Sequence, residues 1–206
     1  YLAERGIDHD AQLTLFLALL EAPGILVGVL LARLAAAQGR LAWGSVVREV
    51  MLGKSVFLLL GGILIGWAAG PNGITEIRGF FFGLFKGVLC LFLVELGLLV
   101  AERMRELRRT GVFLIVFGLV TPVVLGALGT GLGIAIGLSA GGAALLGLLA
   151  ASASYIAAPA AVRVALPEAN PALALTASLG VTFPFNITVG IPLYTEMGRY
   201  LEALAR

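Results

Sequence analysis

The chain has 206 residues, 60% of them hydrophobic and only 13% charged, and its mean hydropathy is +1.04. Soluble domains carry about a quarter charged residues, so a soluble globule is excluded and the chain reads as an integral membrane protein. A net charge of +2 and a pI of 9.0 come from basic loops beside apolar spans, not from a nucleic-acid surface, and the lone Cys90 excludes a disulfide framework.

Six apolar segments follow in order: Ala11 to Leu34, Ser55 to Ala69, Phe80 to Val100, Gly111 to Leu128, Gly141 to Ala161 and Ala172 to Tyr194. A spanning helix needs about 20 residues. The second segment meets that only if it extends back into Val46 to Gly53. The expected class is therefore all-α, a polytopic helical membrane bundle. The chain begins at Tyr1 with no basic signal region, and it is read as a piece of a longer protein with about six spans.

Loop charge sets the orientation. Arg33, Arg40, Arg48 and Lys54 lie between the first two spans, and Arg103, Arg105, Arg108 and Arg109 follow the third. Positive-inside places both connections in the cytoplasm, which makes this a multi-pass protein of the inner (cytoplasmic) membrane. Residues 38–53 read as an interfacial helix, with Trp43 at the headgroup level. Glycines four apart (Gly24/Gly28, Gly62/Gly66, Gly83/Gly87, Gly129/Gly133, Gly133/Gly137) permit close helix approach. The first and last segments echo each other, with Glu21-x-Pro23 falling on Thr182-x-Pro184. Five spans separate them, an odd offset, so the copies would face opposite ways as in an inverted repeat.

The stretch from Leu148 to Thr188 differs from a plain lipid-filling span. Its first part carries Ser152, Ser154, Tyr155 and Pro159, and its second Thr176, Ser178, Thr182, Pro184, Asn186 and Thr188. Hydroxyls beside prolines mark a loosened or interrupted helix. Freed backbone at membrane depth is tolerated only in a protein interior or a watered cavity, and broken helices at the midplane are where transporters hold substrate and coupling ion. The candidate substrate and ion ligands are Ser152, Ser154, Tyr155, Thr182, Asn186, Thr188, Glu21 and Glu95. Ser152, Ser154 and Thr182 are the candidate sodium ligands, because a hard cation favours oxygen. Glu21 and Glu95 sit inside their spans, where a carboxylate must face the interior or find a partner. An enzyme is not expected: there is no paired acid, metal cluster or nucleophile–base set, and His9 stands alone near the terminus. No cofactor is called for beyond a coupling ion.

The run ASASYIAAPAAVRVALPEANPALALTASLGVTFPFNITVGIPLY resembles the closing part of the sodium-dependent bicarbonate transporter family. The matching positions are Ser152, Ser154, Pro159, Arg163, Pro167, Ala169, Asn170, Pro171, Gly190 and Pro192, and LFKGVLCLFLVELGLLVAERMREL at 84–107 extends the match. The resemblance implies two inverted five-span repeats whose broken helices cross around bicarbonate and sodium. Residues 1–37 would be the last span of the first repeat, 38–54 a cytoplasmic linker and 55–206 the second repeat, with about four spans upstream. It also implies a homotrimer and, for some members, a nitrogen-regulatory PII-like partner on the cytoplasmic side. The sequence departs from well-studied members at Tyr155, where they carry an acidic residue, which leaves the coupling ion open between sodium and protons, and at Thr182 and Phe183, where smaller residues are expected; a similar small anion stands beside bicarbonate as cargo. The expected function is secondary transport by sodium symport. The alternative is a membrane scaffold or sensor that recruits such a partner and moves nothing.

Overall fold

A computed structural model of the chain describes residues 1–8, 13–35, 44, 47, 48, 52, 54–107, 111–155 and 157–205. All regular structure among them is helical. Helix α1 (Leu13–Ala35) is followed by α2 (Lys54–Arg78), and a π turn at Gly79–Gly83 leads into α3 (Phe85–Leu107). Then come α4 (Val112–Ala135), α5 (Ala140–Ala151), α6 (Ala157–Ala165) and α7 (Pro171–Ala177). From α7 the helix continues without interruption through the π turn Ser178–Thr182, the short α8 (Phe183–Phe185) and the π turn Asn186–Gly190 into α9 (Ile191–Ala205).

Among the described residues three helical stretches are long and apolar enough to cross a membrane: Gly79–Glu102, Val112–Ala135 and Ala172–Ala205. They correspond to the third, fourth and sixth expected spans. The first two expected spans fall in α1 and α2, whose described residues include the apolar stretches Pro23–Ala32 and Leu60–Gly70. Helix α2 kinks at Gly70, just past the end of the second expected span, where a φ of 61° and ψ of −175° turn the chain in a region open only to glycine. The fifth is divided in two, as the hydroxyl-rich stretch suggested. The interfacial helix expected over 38–53 falls almost wholly outside the described residues, as do His9 and residues 108–110 of the basic loop.

The packed core is built on α4, α5 and α9. Helix α4 ends in a Schellman turn: the Leu138 N–H donates to the Gly133 carbonyl and the Gly137 N–H to that of Ile134, each at 3.0 Å. Gly137 holds the left-handed φ of 84° which that turn requires. Ser139 then caps α5, its hydroxyl accepting from the Gly142 N–H at 3.1 Å. The resulting hairpin is tight because glycine lies at the contact. A Cβ on Gly133 would come 2.6 Å from the Ala143 Cα, and one on Gly129 2.8 Å from the Ala150 Cβ.

Pro122 lies inside α4. Lacking an N–H, it leaves the Gly118 carbonyl without its usual partner. Thr182, from the last span, donates its hydroxyl to that carbonyl at 2.9 Å. Tyr194 donates to the Pro122 carbonyl itself at 2.8 Å, and its ring is fully buried against Gly126. Around Tyr194 gather Ala144 and Ala151 of α5, with Leu148, Leu193 and Met197 at the edge. A second, smaller cluster joins α1 to α6 through Ile25, Val29, Ala161 and Ala165.

Candidate functional site

The site is built around the interruption between α5 and α6. Ser152, with a ψ of 150°, leaves the helix in an extended conformation. The last four carbonyls of any helix lack intrahelical partners, and here three of them are taken. The Ser152 hydroxyl donates to the Leu148 carbonyl at 2.7 Å, and the Ser152 N–H donates to Leu149 at 3.2 Å. The Asn186 amide Nδ2 donates to Ala151 at 2.9 Å. The Ala150 carbonyl takes none of these bonds.

Across the gap, Ser154 caps the other arm by accepting from the Ala158 N–H at 3.2 Å. Pro159 stands in the first turn of α6, where an N–H has no helical partner in any case. Two helix ends of opposite polarity therefore face the break. The C-terminal end of α5 carries partial negative charge, and the N-terminal end of α6 partial positive charge.

Beside the break lies a hollow of about 630 Å3. Ala150, Ser152, Ser154 and Tyr155 line one side and Glu21 with Gly24 the other. Glu21 arrives there by helix geometry. It shares the i, i+4, i+8 stripe of α1 with Ile25 and Val29, which are 8% and 2% exposed and pack on α6. That docking carries Glu21, one turn earlier, to the break. Tyr1 pairs with Glu4 and Arg199 with Glu196, and among the described residues no cation pairs with Glu21. No group of three or more His, Cys, Asp or Glu that could chelate a metal occurs among the described residues.

Of the eight candidate residues, the structure thus brings Glu21, Ser152, Ser154 and Tyr155 to one hollow. It places the others elsewhere. Thr182 is buried in the contact with α4, its proton committed to Gly118. Asn186 is 6% exposed and lies behind the break against Ala151. Thr188 is exposed and donates back to Pro184 of its own helix at 2.7 Å. Glu95 is exposed on α3 and does not line the hollow.

Sequence reasoning did not single out the Ala150 carbonyl, because a backbone acceptor has no residue-type signal. It also passed over Tyr194, although a Tyr inside an apolar span must find a hydroxyl partner. The carbonyl of Pro122, itself visible in the sequence, supplies it.

An interrupted span with capped, opposed helix ends beside a carboxylate is an arrangement that helical membrane transporters use. Residues 1–199 match the model of the Na+-dependent bicarbonate transporter superfamily, and the chain belongs to that superfamily. A search of curated proteins finds no match.

Proposed function

We propose that the chain forms the half of a sodium-driven symporter in which bicarbonate, or a similar small anion, and its coupling cation meet at the break between α5 and α6. The observation that carries this reading is Glu21: a carboxylate on the hollow with no countercharge among the described residues. Leaving a charge unpaired at this depth costs several kcal/mol. A cation from solution, held between Glu21 and the negative end of α5, offsets that cost. The anion lies toward the N-terminal end of α6, where N–H groups and the helix dipole favour negative charge. Ser152 and Ser154 keep the two helix ends apart and lend hydroxyl oxygens. Tyr155 contributes a phenol where related chains carry an acid, so the negative charge comes from α1 instead.

In this reading residues 1–37 close one inverted repeat and 55–206 form the other, in an inner-membrane homotrimer open to a PII-like protein on its cytoplasmic face. These arrangements rest on the family resemblance.

The test is uptake of radiolabelled bicarbonate by the intact transporter in proteoliposomes. An inward sodium gradient is expected to raise uptake, and Ser154→Leu is expected to abolish it while the protein still inserts. Uptake indifferent to sodium removes the coupling. Absence of any uptake from folded protein removes the substrate, and would favour a scaffold that recruits a soluble partner.

A further inference from the structure

Asn186 joins the last span to the break, and it does not line the hollow. Asn186 is 6% exposed, and its Nδ2 donates to the Ala151 carbonyl at 2.9 Å. Its Oδ1 is buried with no donor among the described residues. A buried amide oxygen without a partner is costly, so packing alone gives no reason for an amide here.

Room for it is made by Gly190, one turn on. A Cβ at Gly190 would come 2.7 Å from Oδ1 and 3.1 Å from the Tyr194 ring. Two separate features, an amide that donates to a helix-end carbonyl and a glycine that clears space for it, therefore serve one hydrogen bond.

We propose that Asn186 is a positioning residue for the coupling cation: it ties down the Ala151 carbonyl and so fixes the adjoining Ala150 carbonyl and Ser152 at the edge of the hollow. With Leu148, Leu149 and Ala151 all occupied, Ala150 is the one terminal carbonyl of α5 not taken by those bonds, and Ala150 lines the hollow. Loss of the Asn186 donor lets the end of α5 fray and blurs that oxygen's position. The inference rests on the symport reading for its sodium part only; the clamp on α5 stands independently of it.

Asn186→Leu keeps nearly the same volume and removes the donor, and Asn186→Ala removes both. In sodium-driven uptake each is expected to raise the sodium half-saturation about tenfold or more, the penalty for a lost buried partner, with bicarbonate half-saturation within about twofold. Gly190→Ala shifts sodium in the same direction by crowding Oδ1. Val189→Ala, exposed on the same turn, leaves it unchanged. A purely structural role would lower the yield of folded protein or its melting temperature and leave both half-saturations alone. That outcome, or a sodium half-saturation in Asn186→Leu within about twofold of the parent, overturns the proposal.

If the parent protein shows no sodium dependence, the symport reading fails, and labelling then decides the clamp. In a Cys90→Ser background, Ala151→Cys, at a position only 3% exposed, is expected to react with a water-soluble methanethiosulfonate about fivefold faster when combined with Asn186→Leu, because local opening becomes easier. Equal rates overturn the clamp.

Discussion

The fifth and sixth apolar segments carry the same ingredients, prolines among small hydroxyl residues, and resolve them in opposite ways. The fifth breaks, with extended backbone at Ser152 between α5 and α6. The sixth runs unbroken from Pro171 to Ala205 and absorbs its prolines in two π turns. A proline at position i leaves the carbonyl at i−4 without a donor. In the sixth, the carbonyls concerned are Gly180 and Thr188, and the π register offers each the N–H one residue further on. In the fifth, Pro159 would strand the Tyr155 carbonyl, but the chain has already left the helix. Ser152 closes one end and Ser154 opens the other. Proline alone therefore does not decide whether a membrane helix breaks. The side chains that can cap the freed ends do, and so does the presence of a hollow to receive them.

The contrast separates function from stability, and substitutions on the two sides should behave differently. Glu21→Gln, at the break, is expected to show the largest effect on sodium affinity. Its sodium half-saturation should rise about 10- to 100-fold, the range seen when a metal-ligand set is disturbed, with little change in thermal stability. Normal sodium dependence in that variant would remove Glu21 from the site.

Gly126→Ala, at the contact of α4 with the continuous span, forces a methyl into the Tyr194 ring. Overpacking of this kind costs about 1–3 kcal/mol, to be read as a lower melting temperature in detergent. An unchanged melting temperature would mean that α4 and α9 are less tightly joined than described.

Thr182→Val strips the Gly118 carbonyl of its donor. A loss of about 1–2 kcal/mol is expected for the buried acceptor, without a shift in sodium half-saturation. A large shift there would return Thr182 to the ion ligands. The smallest change belongs to Ser152→Ala. The Ser152 side chain is exposed and its bond to Leu148 is local. A stability loss of about 0.5–1 kcal/mol, near the net value of one hydrogen bond, should accompany a measurable fall in uptake.

Much of the architecture was open to reading from residues alone. Membrane class follows from hydropathy, because a 60% hydrophobic chain cannot cover itself with polar surface. The interruption near Ser152 follows from local chemistry, since serines offer the backbone an alternative to its helical bonds. That Glu21 stands inside a span was equally plain. What it faces was not, because that depends on the docking of Ile25 and Val29 against Ala161 and Ala165, contacts about 135 residues apart in sequence.

The candidate ligands divide along the same line. Ser152, Ser154 and Tyr155 are neighbours in the chain and reach one hollow together. Thr182, Asn186 and Thr188 share their chemistry, yet lie on a neighbouring helix whose rotation turns two of them into the core and one outward.

Glycine spacing shows the limit most clearly. Pairs four apart occur at Gly24/Gly28, Gly62/Gly66, Gly83/Gly87 and Gly129/Gly133. A Cβ would meet a close neighbour at both members of the last pair, and nothing within 4 Å at any of the other three. The sequence by itself determined where the backbone is weakened and which residues lack apolar chemistry, because those are properties of single residues and their near neighbours. Which weakened point becomes a cavity, and which hydroxyl is consumed by a carbonyl from another helix, was decided by tertiary packing, because both depend on what a distant segment places alongside.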